Sequence, residues 1–425
     1  MDTIFAVSSG RPPAAIAVLR VSGAGALAAV GALAGTLPPP RRAGLRRLRD
    51  GDGRILDEAL VLVFPGPASA TGEDLVELHC HGGRAVIDAV EAALARQAGL
   101  RRAAAGEFTR RALLNGRIDL TQAEGLADLL SAETERQRRA AIDAVEGRLS
   151  SLVRDWLGDA AMLAARCEAQ IDYGDEGDVA ETADGLDAIL ADAHALAARI
   201  EGVASTPPVE RLRDGIRVVL AGPPNAGKST LLNRLVGREA AIVTPIAGTT
   251  RDRIEAPVSR DGVAYLVIDT AGITETLDTV EAIGVDRALE AAAVADIVLW
   301  LGDEAPPMAG TIRVHARADV AGREVLPAGK TIAVAADDPA SVARLWDAIA
   351  ERGAKLLPAE DTLALSRQQI ELCRDAASAL AVRSSDGIVI AEHVRRATSS
   401  LAAILGVDAV DAMLDALFSR FCVGK

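Results

Sequence analysis

Apolar positions change their spacing along the chain, and the changes divide it. In the first hundred or so residues, runs at 3–7, 16–21, 59–64 and 75–80 have strand composition, while 84–98 carries Val86, Val90 and Leu94 at helical spacing. The stretch 24–37 reads as a core helix and 291–301 as a buried strand, since both are too short to span a bilayer. Asn115-Gly116 is a stop signal, and Thr121-Gln122-Ala123-Glu124 then reads as a capping box opening helical character to about residue 170. Proline agrees with this division: none lies between Pro67 and Pro207 and none after Pro358, as expected of helix. From 216 to 350 the texture differs. Short apolar runs at 216–221, 263–268, 295–301, 311–315 and 331–334 alternate with helical stretches, which predicts a doubly wound, mostly parallel sheet. The sequence therefore predicts an α+β N-terminal domain (1–116) and a helical domain in two halves (117–212 and 352–425). An α/β domain (213–351) is inserted between those halves.

Composition narrows the class. Of 425 residues, 50% are hydrophobic and 25% charged, an ordinary globular balance. Aromatics make up only 2%, so Ala, Leu and Val must fill the cores. A net charge of −14 argues against nucleic-acid binding over the whole surface. Local basic runs at Arg41, Arg42, Arg46, Arg47 and Arg49, and at Arg136, Arg138 and Arg139, read first as solvated faces. Cys80, Cys167, Cys373 and Cys422 lie far apart without metal spacing, which fits a reducing cytosol. With no signal-like opening and no spanning run, a soluble cytoplasmic protein without a membrane partner is expected.

Chemistry enters at Gly222-Pro223-Pro224-Asn225-Ala226-Gly227-Lys228-Ser229, which satisfies the phosphate-loop pattern between an apolar strand and a helix opening Thr230-Leu231-Leu232. Backbone N–H groups there can cradle phosphates, Lys228 can reach the β- and γ-phosphates, and Ser229 can ligate Mg²⁺. Asp269-Thr270-Ala271-Gly272 ends a later strand, where a carboxylate can hold the Mg²⁺ shell and a glycine N–H can meet the γ-phosphate. Between them Gly248-Thr249-Thr250 offers a switch-like hydroxyl, Thr250, to Mg²⁺. These elements in this order predict a P-loop GTPase domain. Ile273 follows the glycine where many GTPases place a water-holding glutamine, and no arginine finger is evident, although Arg251 and Arg253 stay open.

Three blocks outside that domain carry a family likeness. They are Thr71-Gly72-Glu73-Asp74-Leu75-Val76-Glu77-Leu78 with His81-Gly82-Gly83; Gly106-Glu107-Phe108-Thr109 running on to Asp119-Leu120-Thr121-Gln122-Ala123-Glu124; and the terminal Phe421-Cys422-Val423-Gly424-Lys425. With the phosphate loop they make the chain resemble, nearly end to end, the bacterial tRNA-modification GTPases called MnmE or TrmE. The resemblance implies an N-terminal domain that dimerises and binds 5-formyl- or 5,10-methylene-tetrahydrofolate, with Arg20, Glu77, Arg117 and Lys425 at folate-contacting positions. On residues alone, Arg20 shares a strand face with Ile16 and Val18, and the bland alternative is a charge at a strand end. The resemblance also implies a K⁺ ion held by Asn225, Thr244, Ile246 and Thr249, supplying the charge of an arginine finger. GTP would lie against Asn225 to Thr230, Thr244, Pro245, Ile246, Ala247, Gly248, Thr249, Thr250, Asp269 to Gly272, and Asp319. Glu281 stands at the family's water-orienting position; by itself it reads as a solvated helix carboxylate. Cys422 is a candidate reactive thiol, though a thiol this near a chain end is more often inert. Glu77, His79 and His81 share a strand face, but the family pattern keeps only His81, which argues against a metal there.

One stretch departs from the family. The guanine-reading motif is Asn-Lys-x-Asp, and this chain has Ala316-Arg317-Ala318-Asp319, while the loop after the last strand is Ala335-Ala336-Asp337. In the usual motif the Asp accepts hydrogen bonds from guanine N1 and N2, and the Asn braces the loop. Asp319 keeps the first role; Ala316 cannot fill the second. The expected function is a K⁺- and Mg²⁺-dependent GTPase working with a flavoprotein of the MnmG/GidA type to modify C5 of wobble uridine in tRNA. The alternative is a GTP-controlled binding switch in ribosome assembly, without modification chemistry.

Overall fold

The computed structural model describes residues 2–173, 183–237, 254–269, 295–306, 308–323, 325–335, 337–407 and 411–424. They fall into two compact units: Met1–Ala127 with Ala144–Leu157 and Leu401–Lys425, and Asp128–Asp143 with Gly158–Ser400.

The first unit is built on strands β1 (Thr3–Val7), β2 (Ala14–Ser22), β3 (Gly44–Arg49), β4 (Ile55–Phe64), β5 (Leu75–Gly82) and β6 (Leu100–Arg102), in the order β3-β4-β5-β2-β1-β6. All neighbours are antiparallel except β1 and β6. Helices α1 (Ala26–Ala34) and α2 (Arg84–Ala95) supply Val30, Leu33, Val90 and Leu94 to a core with Phe5, Leu19, Val21, Leu48, Val61 and Leu78. Strand alternation then turns Ile16, Val18, Arg20, Glu77 and His79 to the other face. Strand β3 was not visible in the sequence, where its arginines read as a solvated run. It is an edge strand that buries only Leu48, and an edge tolerates such charge.

Helices α3 (Glu107–Leu114) and α4 (Leu120–Ser131) follow. The expected cap of α4 shifts by two residues. Asp119 Oδ1 accepts from the Gln122 N–H at 3.1 Å, and Gln122 Oε1 accepts from the Asp119 N–H at 3.1 Å, so Asp119 and Gln122 form the reciprocal pair. Thr121 instead lies inside the helix, 2% exposed, sharing a 2.7 Å hydrogen bond with Ser150. The single helical run read to about residue 170 is three helices, α4, α5 (Glu135–Val145) and α6 (Arg148–Tyr173), the last two parted at Gly147 with φ +77°.

Residues of all three family-like blocks also serve as scaffolding. Arg111 on α3, 4% exposed, bonds Glu73 at 3.1 Å, Asp2 at 2.9 Å and Glu107 at 3.1 Å. Burial alone would raise the Glu107 carboxyl, but hydrogen bonds from Arg101, the Ala104 N–H and Arg111 outweigh it and hold it below its ordinary value. Ser22 completes the cluster, bonding Thr71 at 2.7 Å and Glu73 at 2.8 Å. The C-terminal tail is pinned just beyond the end of β1: Ser8 Oγ donates to the Gly424 carbonyl at 2.7 Å. A Cβ on Gly424, at φ +97°, would sit 2.0 Å from the Val7 carbonyl, so only glycine fits.

The second unit holds α7 (Ala183–Ala204), which packs against the helix Arg367–Leu380, and a short α8 (Glu210–Asp214) leading into the second sheet. Its strands are β7 (Ile216–Ala221), β8 (Ile254–Arg260), β9 (Val263–Asp269), β10 (Ile297–Trp300), β11 (Ile312–Ala316) and β12 (Ile332–Val334), in the order β12-β11-β10-β7-β9-β8. All are parallel except β8, which runs antiparallel to β9 at the edge. Strand β8 escaped the sequence reading because it contains Pro257, which an edge strand accommodates. Helix α9 (Lys228–Val236) and the helix Pro339–Ala354 cover the sheet, burying Leu231, Leu235, Leu345, Trp346 and Ile349 against Val218, Leu220, Val267 and Leu299. Among the described residues, no helix is long and apolar enough to cross a membrane.

Candidate functional site

Central strand β7 is buried nearly throughout and ends at Ala221, so the chain must turn sharply at its C-terminal edge. Gly222 makes that turn with φ +146°, and its missing Cβ leaves room for the Gly302 backbone N, 3.0 Å from where a Cβ would stand. Asn225 (φ +60°) and Gly227 (φ +93°) complete the loop, and Gly227 caps α9. The first turn of α9 therefore opens directly behind the loop, where its free N–H groups favour an anion.

Lys228 folds back over this loop, donating to the Gly222 carbonyl at 2.8 Å and the Pro223 carbonyl at 2.9 Å. Burial pushes its ammonium below the ordinary lysine value, with the Asp269 carboxylate opposing. The Ser229 hydroxyl donates to Asp269 Oδ2 at 2.6 Å, so the two Mg²⁺-type positions predicted from separate motifs meet. A hydroxyl beside a carboxylate is a hard-oxygen pair, and these residues fit a Mg²⁺ ion shared with phosphate. Ala226 is partly buried against the core, and its N–H is turned to the Pro223 carbonyl at 3.3 Å.

A cleft of about 650 Å³ runs from this loop to the ends of β11 and β12. Asn225, Gly227, Lys228, Ser229 and Thr230 line one end, and Arg317, Asp319 and Val320 the other. That volume lies in the range of nucleotide and cofactor sites. Arg317, itself at φ +60°, reaches the Asn225 carbonyl from Nη1 at 3.2 Å, and its stem lies over Gly227. The loop 316–319 is thus tied to the phosphate loop, with Asp319 in the same cleft. Thr244, Pro245, Ile246, Ala247, Gly248, Thr249, Thr250, Thr270, Ala271, Gly272, Glu281 and Lys425 lie outside the described residues.

In the first unit, register pairs Arg20 directly with Glu77, and Arg20 Nε donates to Glu77 Oε1 at 2.9 Å. His79 Nε2 lies 3.2 Å from Glu77 Oε2. Burial pushes the Glu77 carboxyl up, but Arg20 and His79 outweigh it and hold it below its ordinary value. Arg20 keeps 29% of its side chain exposed, leaving donors on the open sheet face. Arg117 does not join this pair by any hydrogen bond seen here; its Nε donates to the Ser69 carbonyl at 3.2 Å. His81 is engaged elsewhere, with Nδ1 2.7 Å from Asp57 Oδ1. Cys422 is exposed on the pinned tail, whereas Cys80, Cys167 and Cys373 are buried.

Comparison with known proteins bears on both units. A family profile described as the GTP-binding protein TrmE N-terminus matches residues 3–117, and one described as the MnmE helical domain matches residues 120–422. The tRNA modification GTPase MnmE of Rhizorhabdus wittichii is 55% identical over 430 residues, covering 100% of this chain and 97% of that protein. The tRNA modification GTPase MnmE of Erythrobacter litoralis is 50% identical over 428 residues, covering 100% of both chains. Among solved structures, Era in complex with MgGDPNP and a segment of 16S ribosomal RNA matches 45% of this chain and 89% of its own, at 21% identity and a TM-score of 0.24. That last likeness is too slight to weigh. The full-length identity, added to a phosphate loop whose serine meets the strand-end aspartate, shows that this chain belongs to the MnmE family of tRNA modification GTPases and is a GTP-hydrolysing enzyme.

Proposed function

We propose that the protein is a K⁺- and Mg²⁺-dependent GTPase that acts with a flavoprotein of the MnmG/GidA type and a tetrahydrofolate one-carbon donor to modify C5 of wobble uridine in tRNA. The observation that carries the GTPase half is the cleft that joins Lys228 and Ser229, the latter bonded to buried Asp269, to Asp319. In it, Lys228 exchanges its two loop carbonyls for β- and γ-phosphate oxygens, and Ser229 and Asp269 hold the Mg²⁺ side of the nucleotide. Thr250 would complete that side, and Asn225, Thr244, Ile246 and Thr249 would hold K⁺. The two cations would supply the positive charge that phosphoryl transfer otherwise draws from an arginine finger. Glu281 orients the attacking water, the role that Ile273 cannot perform.

The modification half rests on the first unit. Arg20, fixed by Glu77, presents unsatisfied donors on a sheet face that also exposes Ile16 (58%), Leu45 (57%) and Leu60 (42%). An ion pair set among exposed apolar side chains suits a ligand with an aromatic ring and carboxylates, such as folate. The same face suits a second copy of the chain, and hence a homodimer. Arg117 and Lys425 would close the folate site, and Cys422 lies on the tail that Gly424 pins. A plain ribosome-assembly switch would need neither this site nor the tail. The reading is of a cytoplasmic enzyme with tRNA as its substrate.

Four measurements test this reading. Single-turnover GTP hydrolysis at matched ionic strength should run on the order of tenfold or more faster in KCl than in NaCl. Glu281→Ala should lose that hydrolysis while keeping GDP affinity, because a water-orienting group acts in the transition state. Equal rates in the two salts remove the K⁺ assignment, and an unimpaired mutant removes Glu281. Calorimetry with 5-formyl-tetrahydrofolate should show Arg20→Ala weaker by about 1.5–3 kcal/mol, as for a lost charged hydrogen bond; equal affinity refutes the folate assignment. Nucleoside analysis of tRNA from cells lacking the protein should show wobble uridine without its C5 group, and an unchanged profile would favour the switch.

A further inference from the structure

Asp319 can read guanine only if its loop is held still, and position 316 carries no side chain able to hold it. The structure supplies a brace from outside the motif. Arg323 Nε donates to the Ala316 carbonyl at 3.3 Å, while its Nη1 and Nη2 meet Asp303 Oδ2 and Oδ1, both at 2.9 Å. That fork-to-fork pairing fixes the plane of the guanidinium. His315, 2% exposed, donates from Nε2 to the Arg323 carbonyl at 2.8 Å, and this tautomer leaves the Nδ1 lone pair facing Arg323 Nη2 at 3.3 Å. Arg323 is therefore anchored through its side chain and its backbone.

The anchor itself is tied to the phosphate loop. Asp303 follows Gly302, whose carbonyl accepts from buried Lys330, and Lys330 also donates to the Val314 carbonyl at 2.9 Å. Gly302 is the residue that abuts Gly222. Between Ala316 and Arg323 the chain makes two tight turns, closed by Val320 N–H to the Arg317 carbonyl at 3.0 Å and Arg323 N–H to the Val320 carbonyl at 2.9 Å. Asp319 sits inside this short, cross-linked span, so fixing Ala316 and Arg323 restricts the carboxylate between them.

We propose that Arg323, clamped by Asp303, is the positioning residue for the guanine-reading loop, doing from outside the motif what the asparagine missing at position 316 does from within. This rests on the reading of the cleft as a guanine-nucleotide site. Arg323 touches no nucleotide; it acts through Ala316 and Asp319. Ala316 is placed to test the substitution of roles, since its Cβ lies 3.9 Å from the position a Cβ on Gly227 would take. An asparagine there would reach the phosphate-loop backbone.

The experiment titrates the full chain and its variants with GDP, ADP and inorganic tripolyphosphate, which engages the phosphate loop without a base. Arg323→Ala should raise the GDP dissociation constant about tenfold and leave tripolyphosphate binding unchanged. Asp303→Asn, which frees the guanidinium without removing it, should weaken GDP in the same direction. Adding Ala316→Asn to Arg323→Ala should recover most of the loss, a coupling that a merely structural arginine would not show. The brace is overturned if Arg323→Ala binds GDP as the parent does, if GDP and tripolyphosphate weaken together, or if Ala316→Asn rescues nothing. A parent that binds ADP as well as GDP overturns the guanine reading itself, and the brace with it.

Discussion

The 2.6 Å hydrogen bond from Ser229 to Asp269 is where the two halves of the phosphate site become one. Ser229 arrives through the turn at Gly222 and the left-handed residues Asn225 and Gly227, and Asp269 arrives at the end of β9, the strand paired in parallel register with β7. Because Leu220 pairs with Asp269 across that register, a one-residue slip would carry the carboxylate to the other face of the sheet. The apolar core beneath β7 and β9 is thus what sets the geometry of the Ser229–Asp269 pair. Loop, strand end and base-reading segment all sit at the C-terminal edge of one parallel sheet, as open α/β sheets require of their ligands.

The first unit meets a different problem, a sheet packed by α1 and α2 on one face and, at β1, by Phe108 of α3 on the other. Its answer is a buried charge cluster around Arg111 that joins the 71–74 turn to α3 and to Asp2. Such clusters contribute specificity of arrangement more than net stability. Here the arrangement fixed is that of the β2–β5 pair, on whose open face Arg20 meets Glu77.

Local signals were legible in the sequence. The phosphate loop, the strands β7 and β9 that precede its key residues, and the pairing face of Arg20 all follow from spacing within short stretches. Two edge strands were not legible: β3 buries one leucine among arginines, and the alternation of Ile254, Ala256 and Val258 in β8 is broken by Pro257. The cap of α4 was misplaced because Thr121 and Glu124 mimic a pair that Asp119 and Gln122 actually form. Arg323, Asp303 and Lys330 carried no signal at all, since their roles exist only where the segments after β10 and β11 meet the one before β12. The motif lost at position 316 was readable; its compensation was tertiary.

We propose that this cleft still reads guanine, through Asp319, although the motif around it lacks its asparagine. Adenine offers no donors at the positions Asp319 would engage, so an ATP-bound site leaves that carboxylate unpaired. Competition of GTP and ATP against a fluorescent GDP analogue, on the full chain in Mg²⁺ and K⁺, measures this directly. GTP should displace the probe at much lower concentration than ATP, and displacement by ATP at the same concentration as GTP would contradict the claim.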